Sequence, residues 1–342
     1  MRHELSIAFQ TDKSPDEYIA LAKQVNQYNF DVVTVYCDAP FHPSYGPLLL
    51  MAPHIDRARI GSAAVSPSRI HPIDIAAETA LLAQLAKGGV YIGVARGAWL
   101  ETYGINEIHP PIQGVRETVE IIRYLLEGRS GGYQGQVFQL AEHARAPYPL
   151  PKERIPLLIG TWGKKMCALA GELADEVKVG GSANPDVIPF IQDQIRIGEE
   201  QAGREVGTVA VAIGAVSVVD ENRDLARSLA RREVALYLPV VADLDPTVEL
   251  DPELVKQLRY HADRYEYDDT GRLISDDLLD RFVLSGNVED VVRQSAALFD
   301  AGASRIEFGT PHGLESSEGI RLIGEKVLPA LKELFPGSID LV

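Results

Sequence analysis

Short runs of uninterrupted apolar residues alternate with segments of helical periodicity along most of the chain, and no other feature constrains the fold as strongly. A strand with one solvated face shows an apolar residue at every second position. DVVTVYC, YIGVA, IPLLIG and VAVAIGAVSVV are instead nearly continuous, as expected for parallel strands covered on both faces. The expected strands are Leu5 to Phe9, Asp31 to Cys37, ARIGSAAV, the run opening at Tyr91, IPLLIG, DEVKVGG, VAVAIGAVSVV and the run within ASRIEFG. Helices are expected between them. One starts at Ser14-Pro15 and runs to about Tyr28, a short one covers Tyr45 to Ala52, and another follows Pro72. VRETVEIIRYLLEG carries a stripe of Val119, Ile122 and Leu126 and a stop at Gly128. A last helix is expected from about Ser317 to Leu334.

Eight strands alternating with helices predict an α/β protein with a (β/α)8 TIM barrel. Open doubly wound sheets share the alternation, but no GxGxxG fingerprint opens the first βα turn. A length of 342 residues suits one barrel domain spanning 1–342 with two insertions. Residues 129–151, rich in Gly, Tyr and Pro, include YQGQVFQL and read as a small hairpin outside the barrel. Residues 239–282 are acidic and Tyr-rich and read as a helical insertion near the barrel mouth, either a surface excursion or a lid.

Composition narrows the partners. A net charge of −16, from 33 basic and 49 acidic residues, argues against a nucleic-acid partner, which needs a basic footprint. MRHELSIAFQTD reaches acidic residues before any apolar run of signal length, and no stretch has the apolar length of a membrane span. A cytoplasmic protein acting on a small molecule is the expectation. The two cysteines, Cys37 and Cys167, show neither disulfide nor metal-ligand spacing, so no metal site is expected.

Barrel active sites lie at the carboxyl ends of the strands. The residues there are Gln10 after strand one, Asp38 and His42 after strand two, Ser66 after strand three, Arg96, Gly97 and Glu101 after strand four, Gly160 to Gly163 after strand five, Gly180 and Gly181 after strand six, and His312 after strand eight. GTWGKK sets glycines before a helix N-terminus, where amides and the helix dipole favour an anion such as a phosphate. The small residues of GSAAVSP leave room for something flat, or for a tight helix contact. In YIGVARGAWLETYG, Gly97 permits close backbone approach and Arg96 offers a cation, or else a rim ion pair.

AAVSPSRIHPIDIAAETALLAQLAKGGVYIGVARGAWLETYG, VRETVEIIRYLLEG, PLLIGTWGKKMCALAGELADEVKVGG and AGASRIEFGTPHG resemble the bacterial-luciferase-like superfamily of flavin and deazaflavin oxidoreductases. The likeness is strongest to the branch of the methylenetetrahydromethanopterin reductases, enzymes of one-carbon metabolism that use coenzyme F420. The resemblance implies a flat tricyclic cofactor in the barrel mouth and a homodimer or higher oligomer. It also implies a bulge with a non-prolyl cis peptide within Ala63-Ala64-Val65, and a phosphate near Gly160, Thr161, Trp162 and Gly163 and near Gly180 and Gly181. Asp38 corresponds to the family acid, Ser66 to the polar position after the bulge, and Arg96 with Gly97 to the strand-four lip.

Two departures stand out: the methanopterin reductases carry glutamate where Ala8 stands, and the sugar-phosphate dehydrogenases of the family carry histidine at Ala39. Gln10, Asp38, His42, Glu101 and His312 are the candidates for polarising a substrate or moving a proton. The expected function is F420-dependent hydride transfer to or from a small organic substrate, with a pterin-type one-carbon carrier as one candidate. An FMN-dependent monooxygenase on the same fold is the alternative. A metal-dependent hydrolase would show an HxH pair on strand one, which is absent, and a non-catalytic flavin-binding barrel is a further reading.

Overall fold

Eleven strands are present in the computed structural model, which describes residues 3–336. They are β1 (Glu4–Phe9), β2 (Val32–Val35), β3 (Arg59–Val65), β4 (Val90–Ala95), β5 (Tyr133–Gln134), β6 (Gln139–Leu140), β7 (Leu157–Gly160), β8 (Glu176–Gly180), β9 (Ala210–Val219), β10 (Val283–Gly286) and β11 (Arg305–His312). Pairing runs from β9 through β11, β1, β2, β3, β4, β7 and β8 and back to β9, so eight parallel strands close a barrel with helices between them. The fold is the expected (β/α)8 barrel. One strand was not foreseen: β10 pairs with Val216 to Val219 of β9, just above the level where β8 ends at Gly214. Four residues of VLSG are too short a run to separate from the helix that follows.

Successive residues of each strand point to opposite faces. The outward set, including Ile7, Phe9, Val33, Val35, Ile60, Ile92, Ile159, Val177, Ile213 and Phe308, forms the main core against the helices. The inward set is unusually polar for a barrel, where branched aliphatic residues normally dominate. At its base Arg59 bonds Glu4 at 2.8 Å and Glu176 at 2.7 Å, and Arg305 lies 3.0 Å from Glu176. The Tyr91 ring sits against this group, 5.1 Å from the Arg305 guanidinium. Above it the Tyr91 hydroxyl meets Thr34 at 2.7 Å, Thr34 donates to Glu307 at 2.6 Å, and Glu307 is ion-paired with Lys178.

Two glycines make this filling possible. A Cβ at Gly61 would lie 2.6 Å from the Tyr91 ring, and one at Gly214 would lie 2.9 Å from Lys178 Cε. Each large side chain occupies the volume that its glycine leaves empty.

Both insertions are tied down by charged groups. Glu117, on the helix Pro111–Leu126, accepts backbone N–H bonds from Gln136, Val137 and Phe138 at 2.7, 2.9 and 2.7 Å, which holds the β5–β6 ribbon. Between residues 238 and 280 lie the helices Leu238–Leu244, Pro252–Ala262, Tyr267–Arg272 and Asp276–Asp280. All but Tyr267–Arg272 share a second apolar cluster with the helix Arg223–Val234. Buried Arg227 pins them through Asp276 at 3.0 Å and Asp280 at 2.7 Å. The final segment is expected as one helix, and the structure sets a π-helical turn, Ile323–Val327, in its middle. No described helix is long and apolar enough to cross a membrane.

Burial pushes the Glu307 carboxyl up, but Lys178 and Arg305 outweigh it and hold the group below its ordinary value. Its contribution to stability is therefore present above the ordinary glutamate pKa and lost as pH falls through the lower folded value. Removing one partner of an enclosed pair leaves the other uncompensated, at a cost of about 3–5 kcal/mol. We expect Glu307→Gln and Lys178→Met each to lose that much in urea unfolding at pH 7, and the double variant to lose less than the sum. Single variants within about 1 kcal/mol of wild type would show that the pair is not enclosed in solution.

Candidate functional site

The carboxyl ends of the barrel strands form a mouth with two unlike walls. On one wall the chain is made of small residues. The Ala63–Ala64 peptide is cis, and the β3–β4 register shifts between Ser62 and Val65, so a bulge falls at the expected place. A Cβ at Gly160 would lie 3.5 Å from Ala95 Cβ and 3.6 Å from Ala64 Cβ, while one at Gly180 would meet nothing within 4 Å. Ala63, Ala64, Ala95 and Gly160 are only half-buried, and Gly180 is exposed. Together they give a low, flat surface with open space in front of it.

That surface ends at a helix N-terminus. Gly163 caps the helix Lys164–Leu173 without a side-chain hydrogen bond, and its own N–H is taken by Thr161 Oγ1 at 2.9 Å. The Trp162 indole donates to the Gly180 carbonyl at 2.9 Å, fixing the loop after β7 against the loop after β8. Gly181 has φ +76°, a left-handed conformation suited to glycine, and its N–H reaches Gly214 O at 2.7 Å.

The β3 and β4 lips are joined by Ser66, whose hydroxyl donates to the Arg96 carbonyl at 2.6 Å. Gly97 has φ +104°, and a Cβ there would strike Ser66 Oγ at 2.7 Å. The buried Val65 packs into the main core. The Arg96 guanidinium is ion-paired with Glu107, so it serves the rim. Trp99 is exposed, and Glu101 is exposed on the 3-10 turn Glu101–Tyr103.

The second wall is polar. Gln10 Nε2 lies 3.4 Å from Asp38 Oδ2, bringing two of the expected residues together. Burial raises the Asp38 carboxyl above its ordinary value, against the opposing influence of Gln10, Lys178 and Arg69. His42 is exposed and joins the group only through its backbone N–H to Thr11 O. His312 does not join it: it is 0% exposed, takes φ +76°, and places Nε2 3.1 Å from Ala8 O with its ring against Phe9. An expected proton-transfer residue is here sealed from solvent. Two aromatic groups outside the expected set, Tyr36 and Tyr237, stand at the same mouth. Tyr36 occupies the next inward step after Val32 and Thr34 of β2, a phase concealed in DVVTVYC by apolar residues on both faces.

The luciferase-like monooxygenase family model matches residues 3–305, and the chain belongs to that family. Among individual relatives, the 5,10-methylenetetrahydromethanopterin reductase of Archaeoglobus fulgidus is 29% identical over 84% of this chain and 87% of its own length. The F420-dependent glucose-6-phosphate dehydrogenase of Microbacterium testaceum is 24% identical over 82% of this chain and 80% of its own. The solved coenzyme F420 dependent tetrahydromethanopterin reductase of Methanopyrus kandleri superposes with a TM-score of 0.88 over 97% of this chain and 100% of its own, at 23% identity.

Desolvation lowers the His312 pKa from 6.5 to about 4, so the ring is neutral at physiological pH. The unfolded chain binds a proton first on acidification, and stability attached to His312 is lost as pH falls from about 6.5 to about 4. The loss should amount to roughly 3 kcal/mol across that window. Urea unfolding at pH 7 and pH 4 checks this: His312→Gln should show a smaller pH dependence than wild type, and an unchanged dependence would contradict it.

Proposed function

We propose that the chain is an F420-dependent oxidoreductase that transfers a hydride between the deazaflavin and a small organic substrate. A reaction like that of the methylenetetrahydromethanopterin reductases is the leading form. The observation that carries this reading is the low wall of Ala63, Ala64, Ala95, Gly160 and Gly180 running to the amides that open the helix Lys164–Leu173. A tricycle needs a flat face without projecting side chains, and its phosphate needs unpaired N–H groups and the positive end of a helix dipole. The choice of deazaflavin comes from relatives named as F420-dependent that align over most of the chain.

When bound, the deazaflavin supplies a two-electron carrier. The protein's part is orientation and exclusion of water. The loop of Thr161, Trp162 and Gly163, with Trp162 locked to Gly180, would set the phosphate end against the amides that open the helix Lys164–Leu173. Ser66 and Gly97 bring the β3 and β4 lips together beside the bulge. Asp38 and Gln10 form the polar edge opposite, where burial raises the Asp38 carboxyl above its ordinary value.

Equilibrium titration of the purified protein with F420 and FMN, read by fluorescence, tests the reading. F420 should bind at least tenfold more tightly; preference for FMN would point to oxygen chemistry instead. Gly180→Val should keep the melting temperature within about 2 °C, because its side chain meets open space, yet weaken F420 by at least tenfold. Undiminished F420 binding by that variant would place the cofactor elsewhere.

A further inference from the structure

Tyr36 stands immediately after β2, with its ring over the Lys178 ammonium, 4.9 Å from nitrogen to ring centroid. From there it reaches across β1 to β11: a Cβ at Gly309 would lie 2.7 Å from the Tyr36 hydroxyl, and β1 runs between β2 and β11. Ala8 pairs in register with Thr34, and the Ile7–Phe308 pair sets Ala8 beside Gly309. The ring therefore crosses β1 at Ala8. Two small residues, Ala8 and Gly309, leave the channel in which it lies. Tyr36 is half-buried, and its hydroxyl has no hydrogen-bond partner among the described residues.

A second phenol arrives from the other side. The Tyr237 ring lies beside Gly181, whose missing Cβ would be 3.4 Å from Tyr237 Cε2. Its hydroxyl is enclosed, with the Val216 backbone toward it. Val216 is the register partner of Gly309, so both hydroxyls are brought to the place where β9 meets β11. The nearby cations are already engaged: Lys178 by Glu307, Arg96 by Glu107, and Arg69 by the Cys37 carbonyl at 2.6 Å. What this point offers an incoming molecule is the neutral O–H of half-buried Tyr36, with the enclosed Tyr237 phenol behind it.

Resting on the reading of the chain as a hydride-transfer enzyme, we propose that Tyr36 is a catalytic residue that donates, with Tyr237 beside it, to the heteroatom of an uncharged C=O or C=N acceptor. In the reductive direction the acceptor carbon gains a C–H bond with the hydride of the reduced deazaflavin, which is oxidised in the same step. The π bond breaks and its electron pair passes to the heteroatom, which takes the Tyr36 proton; the phenolate recovers a proton from water at the open mouth. Burial holds the Tyr36 pKa well above its ordinary value, so the hydroxyl is protonated at the outset. Such a donor suits a neutral acceptor better than a carboxylate or phosphate, which would call for a free cation.

The test uses Tyr36→Phe, which keeps the ring and removes only the hydroxyl. F420 affinity, read by fluorescence, should stay within about twofold of wild type. Oxidation of bound reduced F420 by acetone or by a neutral cyclic imine, whichever wild type reduces, should slow by at least about tenfold in single turnover. An unchanged rate with that acceptor overturns the role of Tyr36 while leaving the F420 reading intact. A wild type that binds F420 but reduces neither probe removes the proposed acceptor class, and a wild type that binds no F420 removes the reading beneath it. Independently of turnover, Ala8→Glu should lower the melting temperature more in the presence of Tyr36 than alongside Tyr36→Val, because the ring occupies the space above Ala8. Equal losses in the two backgrounds would show that it does not.

Discussion

The Lys178–Glu307 pair inside the barrel is the contact on which most of the interior depends. An ammonium and a carboxylate enclosed together persist only when each is neutralised by the other and their remaining valences are filled. Here Thr34 fills one carboxylate position and is itself held by Tyr91, whose ring leans on Arg305. The same ammonium lies beneath the Tyr36 ring. The base of the mouth is thus set by an ion pair within the barrel.

Much of the fold was legible because a parallel strand covered on both faces must be apolar throughout, and eight such runs are hard to arrange otherwise. That same property concealed the interior. When both faces are apolar, sequence does not reveal which residues point inward, and Tyr36 therefore read as strand filling. One signal was available: Glu176 with Lys178, and Arg305 with Glu307, stand two apart within strand runs, a spacing that puts each pair on one face. Charges there had to face each other across a closed barrel. β10 was missed because four residues carry no period.

The positions of the mouth loops followed from the barrel rule, but side-chain direction did not. Gln10 and Asp38 come together across β1 and β2, whereas His312, equally well placed at a strand end, turns inward under a left-handed backbone. Arg96 finds Glu107, a partner from the following loop that no local pattern announces. The insertions are likewise anchored by long-range charge, Glu117 for the ribbon and Arg227 for the helical segment. Such contacts depend on how distant segments are brought together, information that a local motif does not contain.

The two glycines opposite Tyr91 and Lys178 also bear on how this barrel can change over generations. Any side chain at Gly61 collides with Tyr91, and any at Gly214 collides with Lys178. A lineage that fills the Gly214 notch must first shrink Lys178, which strands Glu307, whereas no exchange at position 91 opens the Gly61 notch, because the Tyr91 backbone carbonyl closes it as well as the ring. Relatives should therefore keep glycine at position 61, while positions 178, 214 and 307 co-vary as a small linked group and the surrounding helices drift independently.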